Sequence, residues 1–275
     1  MHLLVAQSGT IDDGAEPRDL GQTPGDIVVL SSADTELALL ANAHRALCEA
    51  GPQPSLRLVN FMQLKHNFSV DLYAEKTLQG ARLVVLRLLG GKSYWTYGLE
   101  RLIDMARGGA FRLVVLPGDD KPDPQLDGLS TIDAAAREAL WAYLREGGAD
   151  NAAGFLATAA ALLDGGVRPP PARPLLKAGL YWPGIAQPNL GAIRARWRET
   201  QPVAALIFYR AVIQAGDLAA VDALIAGLQA RDLNPLPLYV TSLREAVCIE
   251  TLRAVFAAAA PDIILNTTAF AAGIG

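Results

Sequence analysis

Short apolar runs return at nearly equal intervals along the first half of the chain. They begin at Ile27, Leu56, Leu83 and Arg112, so that successive starts lie 29, 27 and 29 residues apart. This interval is the length of one strand-helix-strand unit, about 30 residues. Helix-like stretches lie between the runs, and strands that alternate with helices form a parallel sheet with helices on its faces. The sequence therefore predicts an α/β fold.

The same rhythm begins again in the second half, where strand candidates start at Lys177, Val203, Leu236 and Asp262. We therefore predict two consecutive Rossmann/flavodoxin-like parallel-sheet units. The first covers residues 1–164 and includes a further strand at His2 to Ala6, a Pro/Gly-rich linker covers 165–176, and the second unit covers 177–275. No helix follows the last strand, so the second unit is expected to be incomplete at its C-terminus.

Composition excludes several classes of protein. Hydrophobic residues make up 51% of the chain and charged residues 19%, which is enough apolar material for large cores. A net charge of -4 is unfavourable for a nucleic-acid partner, and no apolar stretch is long enough to cross a membrane. Cys48 and Cys248 are far apart, so no disulfide framework is expected. These features predict a cytoplasmic protein.

The loop after the third apolar run contains Gly90-Gly91-Lys92-Ser93, which resembles the end of a phosphate-binding loop. The full pattern needs a glycine five residues before the second glycine, and that position is Leu86. Tyr94 and Tyr97 follow and would share one face of a helix. They are candidates for contact with a large planar ligand, and the alternative is that they pack against the sheet.

Two further loops carry candidate side chains. The segment Pro117 to Pro124 holds Asp119, Asp120 and Asp123, whose oxygens are suited to a hard cation; the alternative is a rigid turn with capping or solvated acids. The segment Leu64 to Tyr73 contains His66, a candidate metal ligand, base or hydrogen-bonded surface group. Ser69 and Asp71 are interpreted as caps of the helix that follows.

Several segments together carry a resemblance to a known family. They are AQSGTI, LSSADTELA, FMQLKHNFSVDLY, RLLGGKSYWTYGLE, VLPGDDKPDP, LWAYLREGGADN and RPLLKAGLYWPG, in this order along the chain. They resemble the amino-terminal region of the large subunit of aerobic cobaltochelatase, the CobN type, which is related to the large subunit of magnesium chelatase.

The resemblance implies that the chain is part of a corrin-binding subunit that inserts cobalt into hydrogenobyrinic acid a,c-diamide in aerobic cobalamin biosynthesis. ATP and its magnesium would be used by two AAA+-type chelatase partner subunits and not by this chain. Large subunits of this family are longer, so residues up to Gly275 are expected to be inactive alone. The motif residues would form a substrate-binding or subunit-contact surface: His66, Gly90, Gly91, Tyr94, Tyr97, Asp119 and Asp120.

Two alternatives stay open. One is a magnesium-chelatase-type subunit that acts on protoporphyrin IX. The other is a non-enzymatic α/β module that binds a small ligand or a protein. No catalytic residue is predicted, and the sequence leaves the metal-binding residues unknown.

Overall fold

The computed structural model describes residues 16–268 and divides the chain into two compact units. One unit ends at Arg173 and the other begins at Pro174. Strands alternate with helices in both, which confirms the predicted α/β fold class. The strand predicted at His2 to Ala6 lies outside the described residues.

The first unit is built on a four-stranded parallel sheet. Its strands are β1 (Ile27–Ser31), β2 (Leu56–Asn60), β3 (Leu83–Leu88) and β4 (Arg112–Pro117). Their order across the sheet is β2-β1-β3-β4, with Ile27 opposite both Leu56 and Leu83. All four predicted runs are strands, because runs rich in Val and Leu suit a sheet that is buried on both faces. Their carboxyl ends, and the loops that follow them, meet at one edge.

Helices cover both faces of this sheet. They are α1 (Asp34–Ala50), α2 (Asn67–Lys76), α3 (Thr96–Arg107), α4 (Pro124–Asp127), α5 (Ala134–Glu146) and α6 (Ala149–Asp164). Buried residues of α1, α5 and α6 share one core with Val29, Val85 and Val114. Buried residues of α2, α3 and α4 share the other core with Val84 and Leu86. The alternation of side chains along each strand supplies both cores.

Helix capping differs from the sequence prediction at α2. The N-cap is His66, whose side chain accepts the backbone N–H of Phe68, so Ser69 and Asp71 lie inside the helix. The prediction that these two residues cap the helix is therefore wrong. Ser69 instead accepts the backbone N–H of Arg18 at 2.7 Å, which ties the segment before β1 to α2.

The Pro-rich stretch after α6 has no helix or strand but packs on the first unit. The Tyr143 hydroxyl donates to the carbonyl oxygen of Pro170. The Asn151 side chain bonds both the N–H and the carbonyl of Arg173, at 2.8 and 2.9 Å. Buried amides that meet backbone groups in this way hold an irregular segment in one path.

The second unit has its own four-stranded sheet. Its strands are β5 (Ala178–Leu180), β6 (Val203–Tyr209), β7 (Asn234–Val240) and β8 (Ile263–Asn266). The order is β5-β7-β6-β8, and β5 pairs antiparallel with β7 whereas the other pairs are parallel. Its helices are α7 (Leu190–Arg194), α8 (Arg210–Ala215), α9 (Ala219–Gln229) and α10 (Ala246–Ala259).

The last strand is exposed to solvent, and the helices can be checked for membrane spans. All four residues of the edge strand β8 are exposed, including Ile264 at 53%. In the part of the chain that the structure describes, every helix is too short or too polar to cross a lipid bilayer.

Candidate functional site

A cleft of about 480 Å³ opens at the carboxyl ends of β3 and β4 in the first unit. Ligands of open α/β sheets bind at this edge. One wall comes from the loop after β3 and the other from the loop after β4. The polar and glycine residues that line the cleft are Gly90, Gly91, Lys92, Ser93, Asp119, Lys121, Asp123 and Gln125.

The loop after β3 turns on two glycines. Gly90 and Gly91 have φ angles of 89° and 75°, a region in which residues with a Cβ are strained. A 3₁₀ turn, Lys92–Trp95, then leads into α3. Leu86 lies fully buried within β3, where a phosphate-binding loop would need a glycine. The structure therefore agrees with the sequence analysis that this loop does not form a phosphate-binding loop.

The loop after β4 approaches the first wall very closely. A Cβ on Gly118 would lie 2.5 Å from the backbone N and Cα of Leu89, so only glycine fits there. From below, Arg87 donates to the carbonyl oxygen of Pro117 at 3.2 Å. The indole of Trp141 donates to the carbonyl oxygen of Asp119 at 3.2 Å. The second wall is thus held against the loop after β3, against β3 itself and against α5.

Beneath this edge, Arg87 of β3 forms a buried ion pair with Glu36 of α1. Both side chains are more than nine-tenths buried, and Arg87 also donates to the carbonyl oxygen of Leu144. Burial lowers the pKa of Arg87 to about 10, so the guanidinium remains charged at neutral pH. The ion pair lies at the carboxyl ends of β1 and β3, the two strands between which the order of the sheet reverses. The cleft instead lies between the ends of β3 and β4.

The acids of the second wall support their own turn. Asp119 accepts the backbone N–H of Lys121 at 3.2 Å, and Asp123 caps α4 by accepting the N–H of Gln125 at 3.0 Å. Within residues 16–268, no three His, Cys, Asp or Glu side chains are grouped to hold a metal ion. The hydrogen bonds of these acids favour the interpretation of the segment as a rigid turn with capping acids. Asp120 is exposed beside the cleft but does not line it.

Three exposed aromatic side chains lie on the segments that follow β2 and β3. We call Phe68, Tyr94 and Tyr97 the aromatic surface; they are 54%, 48% and 37% exposed. Trp95 between the tyrosines takes the buried position, and the Tyr94 ring meets the buried Phe61 edge-on, with ring centroids 6.2 Å apart. Trp95 stacks on Phe61, with ring centroids 5.0 Å apart. The aromatic surface and the cleft meet at Gly90, where an added Cβ would lie 3.2 Å from the Tyr94 ring.

Tyr97 is held in place by a charged neighbour. Its hydroxyl donates to both carboxylate oxygens of Asp71, at 3.0 and 2.9 Å, and Arg101 lies 3.5 Å from the same carboxylate. The hydrogen bond to Asp71 raises the pKa of Tyr97 above its ordinary value. Tyr97 is therefore a neutral hydrogen-bond donor at physiological pH, and its ring has a defined position at the surface.

His66 has one nitrogen already in use. Its Nδ1 accepts the N–H of Phe68 at 3.1 Å, so a neutral imidazole carries its proton on Nε2. His66 can still donate a hydrogen bond from Nε2–H.

The fold thus brings some predicted site residues together and leaves others apart. Gly90, Gly91 and Asp119 line the cleft, whereas His66 serves α2 as a cap. Tyr94 lies next to Gly90 at the border of the cleft, and Tyr97 lies further along the chain in α3. The sequence analysis did not select Lys92, Ser93, Gln125 or Gly118. Lys92 and Ser93 follow the glycine pair directly, and this position was the one signal available for them.

Comparison with known proteins shows which proteins this chain resembles. The chain is 49% identical over 279 residues to an aerobic cobaltochelatase subunit CobN from Sinorhizobium, an alignment that covers 98% of this chain and 22% of that protein. It is 43% identical to an aerobic cobaltochelatase subunit CobN from Pseudomonas aeruginosa, with the same coverage. This chain is a relative of the CobN-type subunits.

Two further comparisons agree with this relationship. The family model for CobN/magnesium chelatase matches residues 141–275. The catalytic subunit of cobaltochelatase from Mycobacterium tuberculosis has the same fold, with a TM-score of 0.66 and 26% identity over 91% of this chain and 19% of its own. The resemblance found in the sequence motifs to the CobN type is thus confirmed. The chain spans about a fifth of the length of these CobN relatives.

Proposed function

We propose that this chain is part of the corrin-binding large subunit of an ATP-dependent cobaltochelatase. The whole enzyme would insert cobalt, its substrate metal, into hydrogenobyrinic acid a,c-diamide during aerobic cobalamin biosynthesis in the cytoplasm. Support comes from identities of 49% and 43% to CobN subunits along nearly the whole chain.

Within that subunit, we assign ring recognition to the first unit. One observation carries this assignment: the exposed Tyr94 ring lies next to Gly90, which lines the polar cleft. A large ring with polar groups at its edge presents a flat apolar face and a hydrophilic rim. Tyr94 and Tyr97 supply planes for the face, and the cleft supplies polar groups for the rim. Aromatic contacts of this kind contribute about 0.5–1.5 kcal/mol each.

The described residues offer little for the insertion step itself. Exchange of two ring N–H protons for a metal requires a base, and the Nδ1 lone pair of His66 is occupied by the Phe68 N–H. We therefore assign proton removal to another part of the large subunit, and this chain alone is expected to be inactive.

ATP would act elsewhere in the complex. The loop after β3 has Leu86 in place of the first glycine of a phosphate-binding loop. We therefore assign ATP and magnesium to two AAA+-type chelatase partner subunits, which would drive a change in the large subunit.

A second candidate function is contact with a partner subunit. Phe68 favours it, because this side chain is 54% exposed at the start of α2 and is not a lining residue of the cleft. Exposed aromatic residues are common anchors of protein interfaces. In this case the aromatic surface would bind protein and not the ring.

Calorimetric titration with hydrogenobyrinic acid a,c-diamide and with protoporphyrin IX tests the proposal. The wild-type chain is expected to bind the corrin-type ring more tightly. Replacement of both tyrosines, Tyr94→Ala and Tyr97→Ala, is expected to weaken binding about 10-fold or more, since two aromatic contacts are lost. The matched control is Tyr94→Phe with Tyr97→Phe, which keeps both rings and is expected to retain most of the affinity.

The other outcomes separate the alternatives. Tighter binding of protoporphyrin IX would favour a magnesium-chelatase-type subunit. Binding of neither ring would contradict ring recognition and favour the docking function or a non-enzymatic module.

A further inference from the structure

Two lysines line opposite walls of the cleft. Lys92 comes from the loop after β3 and Lys121 from the loop after β4, and both are exposed. Lys76 and Lys177 form ion pairs with Asp19 and Glu245. Lys92 and Lys121 make no such pair with any carboxylate in the described part of the chain. Their ammonium groups therefore have donor capacity that the fold does not use.

The acidic residues of the cleft are engaged differently. One oxygen of Asp119 accepts the N–H of Lys121, and one oxygen of Asp123 accepts the N–H of Gln125. Each carboxylate thus braces the turn of the second wall. The four charged residues of the cleft sum to zero, so attraction for an anion would come from direct contact with the ammonium groups and not from a net positive field.

The shape of the cleft limits the kind of anion. The buried Leu86 removes the glycine that would let backbone N–H groups surround a polyphosphate. A carboxylate needs only one or two donors, which a lysine and a neighbouring hydroxyl or amide supply. Ser93 lies next to Lys92 in the sequence, and Gln125 belongs to the same wall as Lys121.

We infer that Lys92 and Lys121 bind carboxylate groups at the rim of the ring ligand. The ring face lies on Tyr94 and Tyr97, and its acidic side groups reach the cleft past Gly90. The two lysines are specificity residues, because they distinguish a ring with free carboxylates from one whose side groups are all amides. This inference rests on the proposed function, since it requires that the ring bind at the aromatic surface.

The test compares two ligands and four proteins by isothermal titration. The ligands are hydrogenobyrinic acid a,c-diamide and the same ring with its remaining carboxylates converted to amides. The proteins are the wild type, the double variant Lys92→Gln with Lys121→Gln, the Tyr94→Ala and Tyr97→Ala variant, and Arg107→Gln. Arg107 is the exposed last residue of α3, at the opposite end of that helix from Lys92, and serves as the control for loss of positive charge.

For the acidic ring, loss of both lysines is expected to weaken binding about 5- to 20-fold, and added salt is expected to reduce the difference. For the amidated ring, the lysine variant is expected to bind as the wild type does. Arg107→Gln is expected to leave both affinities unchanged.

Three results would overturn the inference. Equal binding of the acidic ring by the wild type and the lysine variant would overturn the inference about the lysines. If the tyrosine variant still binds that ring more weakly than the wild type does, the proposed ring recognition stands. An equal loss for both rings would show that the lysines do not contact carboxylates. Failure of the wild type to bind either ring would overturn the inference together with the proposed ring recognition.

Discussion

His66 has a structural role, as the N-cap of α2, that the sequence did not predict. Its Nδ1 caps α2 through the Phe68 N–H, so the side chain is held by the helix that it begins. A lone histidine in a loop invites a metal-ligand interpretation from sequence, and in this fold its Nδ1 accepts the N–H of a neighbour along the chain.

The cap predicts a specific pattern of stability. His66→Ala removes the acceptor and is expected to lower the free energy of unfolding by about 1 kcal/mol. His66→Asn keeps an acceptor at the N-cap and is expected to stay close to the wild type. Chemical denaturation of both variants measures the difference. Equal losses in the two variants would show that the cap is not what His66 contributes.

Tyr97 gives a prediction about pH. The hydrogen bond to Asp71 favours the neutral phenol, so the folded-state pKa of Tyr97 lies above the ordinary value of about 10. Its stabilising contribution is therefore complete below pH 10 and is lost as the pH rises through the folded-state pKa. Titration of ring-labelled tyrosine by NMR, with the signal assigned from Tyr97→Phe, measures this pKa. Asp71→Asn is expected to lower it; an unchanged value would show that Asp71 is not the cause.

At the scale of elements, the two walls of the cleft depend on the meeting of β3 and β4. Gly118 lies directly after β4 and donates its N–H to the carbonyl oxygen of Leu88 at 2.9 Å. The backbone of Leu89 leaves no room for a side chain at this position. The second wall can follow its observed path only with glycine there.

Gly118→Ala is expected to destabilise the protein by about 1–3 kcal/mol, because the added methyl group must push the two loops apart. Gly128→Ala is the matched control, since an added Cβ at Gly128 meets no atom within 4 Å. This control is expected to lie within about 0.5 kcal/mol of the wild type. Thermal unfolding compares the two variants, and similar losses in both would contradict the close approach of the walls.

The positions of the strands could be predicted from sequence more fully than their directions in the sheet or the residues that cap the helices. The runs at Ile27, Leu83 and Arg112 predicted strands that begin at those residues, because buried strands carry a continuous apolar signal. The antiparallel direction of β5 could not be predicted, since strand direction depends on the path of a long irregular connection. The cap of α2 was missed because Ser69 and Asp71 are stronger capping residues by type than His66.

Residues of the candidate site could be predicted from sequence where a local motif marks them. Gly90, Gly91 and Asp119 were selected from motifs, and they do line the cleft. Lys92 and Lys121 lie 29 positions apart and face each other only because β3 and β4 are neighbours in the sheet. No local pattern marks such a pair, since its chemistry arises from tertiary packing.

In the whole molecule, we propose that ring recognition and metal insertion take place in different parts. The first unit holds a cleft and an aromatic surface, and the described chain groups no three side chains suited to a metal ion. The chain spans about a fifth of the length of its CobN relatives, and we propose that metal insertion takes place in a part of the subunit outside this chain. The central claim is that the ring binds at the edge where β3 and β4 end.

Amide chemical-shift mapping on the labelled chain tests this claim most directly. On titration with hydrogenobyrinic acid a,c-diamide, the largest shifts are expected at Gly90, Gly91 and the amides that follow into α3, together with Gly118 to Lys121. Amides of the second unit are expected to stay unchanged. Saturable shifts confined to the second unit, or no shifts at ring concentrations that saturate the complete large subunit, would contradict the account.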